Sequence, residues 1–182
     1  MRKRKEEKET TPVVLHKHSL WKRLKDIGAQ TFPYPIVYED GLVTRRQWYA
    51  IKRSGEYAKY KAFGIVFKGY ILKLDSPDAL MDHDTAAAYC QTEKFAGISG
   101  QLPPSELMQQ IVENYNKLHY MLDVIGASRI SDGDYLTSTP GGMEPSGEPL
   151  RYAWHFCYTL PSAPIPLLKE EKGKVLVVFK VK

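Results

Sequence analysis

The sequence predicts an α+β domain, and three observations carry that prediction. Apolar residues at helical spacing are concentrated in the middle of the chain, over Asp84–Lys94 and Ser105–Gly126. Segments rich in β-branched and aromatic residues lie on both sides and crowd the C-terminal third. The body contains neither an internal repeat nor a low-complexity stretch. With 182 residues, 43% of them hydrophobic, the chain is long enough to bury one sizeable core.

Residues 1–33 read as a basic arm and docking segment, and residues 34–182 as the domain. The first 26 residues hold nine Lys/Arg and four Asp/Glu, which accounts for the whole net charge of +5 and leaves the rest neutral. Met1–Thr11 has almost no apolar side chains and cannot fold alone. Its Arg2–Lys5 cluster is the one route expected for nucleic acid or an acidic partner. Ser19–Gly28 follows as a short helix that places Leu20, Trp21, Leu24 and Ile27 near one face, with Ser19 as cap and Gly28 as stop. Three turns are marginal alone, so this stripe is expected to dock, either on its own domain or on a neighbouring subunit. No apolar h-region follows the basic residues, so they are not read as a signal peptide. No apolar run approaches the ~20 residues that span a bilayer. The expectation is a soluble chain outside the general secretory route.

The domain opens with a hairpin, Ile36–Tyr38 and Leu42–Thr44 around an Asp40-Gly41 turn. In Arg45–Tyr60, Arg45, Arg46, Lys52, Arg53 and Lys59 alternate with Trp48, Tyr49, Tyr57 and Tyr60. Such interleaving suits either single-stranded nucleic acid or side chains lying over apolar surface, and the neutral body argues against the first. Ala62–Phe67 and Tyr70–Leu74 form two strands around Lys68-Gly69. The first helix is capped by Asp82 or Asp84 and favoured by three alanines. Pro103 or Pro104 opens the second, whose buried stripe is Leu107, Ile111, Tyr115 and Leu118. Asn116–Ile125 continues it as a second piece, with Gly126 as its stop. Tyr135–Thr139, Leu150–Leu160 and Lys174–Val181 are the late strands. The last alternates Val175, Val177, Phe179 and Val181 with Leu176, Val178 and Lys180, the pattern of a central strand covered on both faces.

The chemistry-bearing residues are sparse. Two cysteines, Cys90 and Cys157, are too few for a disulfide framework or a zinc site, and read as free thiols. No phosphate loop or dinucleotide fingerprint is present. Pro140–Pro149 reads as a flexible loop carrying two carboxylates, Glu144 and Glu148, short of the six to eight oxygens calcium takes. No cofactor and no metal is expected.

Leu102-Pro103-Pro104-Ser105-Glu106-Leu107, then Tyr135-Leu136-Thr137-Ser138-Thr139, then Ala153-Trp154 occur in an order that resembles a bacterial C-type-lectin-like family of the Fibrobacter major-paralogous-domain type. Tyr38-Glu39-Asp40-Gly41, Gly64-Ile65-Val66-Phe67 and the Ala86–Cys90 helix extend the likeness over residues 34–182. The chain departs from that pattern at Gly100-Gln101, where the family has Trp-Arg, and at Leu136, where it has Trp. The resemblance implies two helices on a mostly antiparallel twisted sheet and a non-enzymatic binding role. It also allows a disulfide between Cys90 and Cys157. Tyr135, Glu144, Glu148, Tyr152 and Trp154 are then the expected ligand contacts, without calcium. The partner is expected to be a cell-surface glycan or protein, or neighbouring virion subunits that include further copies of the chain. A surface-type domain without an export signal points to a phage or prophage adhesion or decoration protein. The alternatives are a bacterial surface or fimbria-associated adhesin module and a formylglycine-generating type of enzyme.

Overall fold

The computed structural model describes residues 31–46, 61–143, 145–147, 149–157, 162–168 and 170–181. The expected Ser19–Gly28 helix with Leu20, Trp21, Leu24 and Ile27 lies outside the described residues, as do residues 47–60, Glu144, Glu148 and residues 158–160. The described residues form a mixed α+β fold with three helices and antiparallel sheets.

Four strands come first: β1 Thr31–Tyr38, β2 Val43–Arg46, β3 Ala62–Phe67 and β4 Tyr70–Lys73. They join a late strand, β10 Val178–Lys180, in one antiparallel sheet of order β10-β4-β3-β1-β2. The domain boundary expected after Pro33 falls inside β1, because Phe32 is already fully buried. Pro33 and Pro35 are tolerated there because the β1–β2 register jumps between Thr31 and Ile36, so neither proline must donate to the ladder. The first turn is also centred earlier than expected. Gly41 donates to the Tyr38 carbonyl at 2.9 Å and Tyr38 donates to Leu42, making a three-residue connection with left-handed Gly41 (φ 85°).

The helix α1 spans His83–Thr92, and Asp82 is the residue that caps it. Asp82 accepts from Thr85 N at 2.9 Å and from Thr85 Oγ1 at 2.7 Å. Lys94, expected at its end, belongs instead to a two-stranded ribbon of β5 Lys94–Phe95 and β6 Ile98–Ser99. The second helical stretch divides into α2 Ser105–Glu113 and α3 Tyr115–Ile125. Asn114 makes the break: its Nδ2 donates to the Gln110 carbonyl at 2.9 Å, while its Oδ1 accepts from Tyr34 OH at 2.8 Å. An asparagine that bonds its own preceding turn competes with the helix ladder, and here β1 holds it in place. Left-handed Gly126 (φ 70°) stops α3 as expected.

A three-stranded antiparallel sheet follows, β7 Gly133–Met143, β8 Pro149–Phe156 and β9 Ala163–Leu167. The C-terminal segment then returns across the molecule. Gly173 bridges Met81, Lys174 pairs in parallel with Tyr135, and Val178 bridges Gln101 before β10 joins β4. Its alternation divides as the sequence pattern implies. Leu176 and Val178 enter a core with α2 and α3, whereas Val175, Val177 and Phe179 enter a second core with Ala86 and Cys90 of α1. Its place is different from the expected one. β10 stands at an end of the five-stranded sheet, and its burial comes from the packing on both faces. Leu107, Ile111 and Leu118 are buried with Met108, Met121 and Leu122, and Tyr115 is half-buried against them.

Candidate functional site

The two motifs that dominate the sequence reading meet in space. Ser105 N, at the start of α2, donates to Thr139 Oγ1 at 2.9 Å, and Ser138 N donates to the Pro103 carbonyl at 2.9 Å. Thr137, fully buried, donates from Oγ1 to the Tyr152 carbonyl at 2.6 Å, and its own carbonyl lies 3.1 Å from His83 Nε2. A Pro-Pro-Ser helix start needs an external acceptor for its first N–H groups, and the Thr-Ser-Thr run supplies one. The pairing is a clasp between helix and sheet.

That clasp explains the shape of the β7–β8 hairpin. The register shifts between Leu136 and Pro140, so Thr137–Thr139 bulge out of the ladder toward α2. Below the bulge, Gly133–Leu136 pairs with Ala153–Phe156 inside the molecule. Above it, Pro140, Gly142 and Met143 pair with Arg151, Leu150 and Pro149. The expected Pro140–Pro149 loop is therefore shorter than its composition implies, since its first four residues continue β7 and Pro149 begins β8. Gly141 is required there: a Cβ would stand 2.8 Å from the Arg151 and Leu150 carbonyl carbons. Gly142 takes a positive φ of 92° that glycine adopts without strain.

The upper half projects. Met143 is 70% exposed, and Pro145, Ser146, Gly147 and Pro149 are exposed around it. Arg151, half-buried in the neck, keeps a buried Nε–H with no acceptor among the described residues. Such a donor loses roughly 1–3 kcal/mol relative to a satisfied one.

The expected contact residues separate along this hairpin. Tyr152 is half-buried in the neck. Tyr135 and Trp154 form a directly opposed pair in the lower half, 7% and 6% exposed, and belong to the core beside α2 and α3. Their rings are not offered to a ligand at the hairpin tip, because strand alternation points both inward below the bulge. The Trp154 indole N–H has no acceptor among the described residues.

One charged pair decorates the outer face of the lower half. Asp134 and His155 oppose each other, with Oδ1 and Nδ1 2.6 Å apart, and this hydrogen bond holds the imidazole pKa above its ordinary value. Both cysteines are free thiols, and the disulfide allowed by the resemblance does not form. Cys90 is buried and its thiol is pushed up to about 11 by that burial. Among the described residues, no three His, Cys, Asp or Glu side chains converge as a metal site, and no helix is long and apolar enough to cross a membrane.

The sequence reading missed the bulge, the projecting strand ends and Arg151. Their signal was the Pro140-Gly141-Gly142 run, which reads equally as loop or as bulged strand. Comparison with protein-family models, with curated proteins and with solved structures finds no match to this chain.

Proposed function

We propose that this chain is a non-enzymatic binding module of the C-type-lectin-like kind, carried on a phage or prophage virion as an adhesion or decoration protein. The projecting half of the β7–β8 hairpin carries the reading. It combines an exposed tip at Met143, a half-buried aromatic at Tyr152 and a buried Arg151 donor that has no acceptor among the described residues, all anchored to α2 by the Thr137–Thr139 clasp. A rigid scaffold presenting an exposed turn is how recognition surfaces are commonly built. The order of elements also supports it: antiparallel hairpins, two helical arms, then late strands whose last member returns to the first sheet.

The partner is a cell-surface glycan or protein, engaged without calcium, with Glu144 and Glu148 as polar contacts. Neighbouring virion subunits are the partners for Leu20, Trp21, Leu24 and Ile27. A bacterial surface or fimbria-associated adhesin would use the same hairpin and differ only in where the chain is displayed. The formylglycine-generating alternative needs a reactive cysteine pair, and a buried Cys90 with a raised pKa speaks against it. Binding of the full chain to a glycan array and to whole bacterial cells, with and without chelator, tests the reading. Saturable binding that survives chelation supports it. Abolition by chelator refutes the calcium-free mechanism, and firm incorporation into a particle without any cell or glycan binding refutes adhesion.

A further inference from the structure

At the opposite end of β7 from the hairpin tip, a pocket of about 170 Å³ opens between α3, the β3–β4 hairpin and the C-terminal segment. Its floor is apolar: Ile65, Leu72, Leu118, Leu122, Ile130 and Leu176. Its rim is not. Lys73, Arg129 and Lys174 reach it as cations, Asp78 as the one carboxylate, and Ser131 as a hydroxyl.

The cations differ in how they are satisfied. Lys73 Nζ is 2.8 Å from Glu93 Oε1, and Arg129 makes a two-pronged pair with Asp123 at 2.7 and 2.6 Å. Lys174 has no carboxylate partner among the described residues. Its ammonium donates to Ser131 Oγ at 2.7 Å and to the Asp132 carbonyl, and stands 5.8 Å from the centre of the Tyr135 ring. An ammonium carries three N–H groups, so one donor and a full charge are left at the pocket mouth. The backbone that carries the side chain is also held in place. The Lys174 N–H donates to Asp134 at 2.7 Å, and its carbonyl accepts from Leu136 at 3.0 Å. Gly133 leaves room for it, since a Cβ there would stand 2.9 Å from Lys174 Cε. Asp78 is exposed, where water and salt screen its opposing charge.

We propose that this pocket binds a small organic carboxylate, its apolar body about the size of a benzene ring and its charge met by Lys174 and Ser131. The size follows from the volume, since an apolar cavity of roughly 150 Å³ holds benzene. The sign follows from the unmatched ammonium. The site is independent of the hairpin and stands or falls separately from it.

Benzoate, benzamide and benzamidinium share one shape and differ in charge, so they are the probes. Amide chemical shifts of the full chain should move saturably with benzoate at Ser131, Tyr135 and Lys174, with benzamide weaker and benzamidinium silent. Lys174→Met should weaken benzoate by about tenfold to hundredfold, the range of one charge-assisted hydrogen bond, and leave benzamide unchanged. Ser131→Ala, at an exposed position, provides a second variant that leaves the core intact and should weaken benzoate in the same direction. Equal binding of all three probes, no saturable shift with millimolar benzoate, or unchanged benzoate affinity in a folded Lys174→Met protein would overturn the assignment.

Discussion

Replacing Gly173 by alanine should strike the point where the C-terminal segment closes the fold. A Cβ at Gly173 would stand 2.8 Å from the Asp134 carbonyl oxygen and 2.9 Å from Leu136 Cγ and Cδ2. Neither neighbour can retreat freely. The Asp134 carbonyl already accepts from Lys174, and Leu136 is 1% exposed in the second core. Gly173 itself is tied to Met81 through two backbone hydrogen bonds of 2.9 and 3.0 Å. Overpacking of this kind costs about 1–3 kcal/mol. Stretching one of the tying bonds adds roughly 0.5–1.5 kcal/mol. The expected destabilisation is therefore about 1.5–4.5 kcal/mol, which in a chain of this size lowers Tm by about 3–18 °C. Thermal melts followed by circular dichroism, with urea titrations to check cooperativity, measure it. A Tm within about 1 °C of the parent would mean that the segment does not cross β7 this closely.

Ile111→Ala should cost about 2–5 kcal/mol, because Ile111 is fully buried between α2 and the sheet, and an unchanged melt would put the wrong face of α2 inward. The His155–Asp134 hydrogen bond raises the histidine pKa, so the folded state holds that proton more tightly than the unfolded chain does. Its stabilisation is complete below the ordinary histidine value of about 6.5 and is lost as pH rises through the higher folded value. The pH dependence of Tm should therefore flatten in that window in His155→Gln, and identical profiles would remove the pair from the account. Deleting residues 1–28 should leave the described domain folded while blocking assembly; unfolding on deletion would make the segment part of the core.

The sequence was most legible where periodicity and turn chemistry agree. Val175–Phe179 alternates between two cores as its pattern requires, and Lys68-Gly69 turns β3 into β4 with both residues at positive φ. It was least legible where a residue's role is set by a distant partner. Asn114 breaks α2 from α3 because Tyr34, 80 residues earlier, holds its side chain. β9 went unread because Pro164 and Pro166 look like breakers, yet two residues apart on an edge strand neither has to donate inward. The site divides in the same way. The family resemblance marked Tyr135 and Trp154 as ligand contacts, but the tertiary fold turns them into the core and makes the neighbouring Thr137–Thr139 run a helix clasp. The role of Lys174 is not legible in the sequence, because its lack of a carboxylate partner among the described residues is a property of the fold and not of its neighbours in sequence.

The most direct test of the central claim compares the parent chain with a hairpin variant, Met143→Asp combined with Tyr152→Ala, for binding to bacterial cells in the presence of chelator. Both positions lie outside the buried half of the hairpin, so the fold should be retained and a matching melt will verify it. The account predicts saturable, chelator-resistant binding by the parent and a loss of at least about tenfold in the variant, since aromatic contacts dominate such interfaces. Equal binding by a folded variant, or binding by the parent that disappears with chelator, would contradict it.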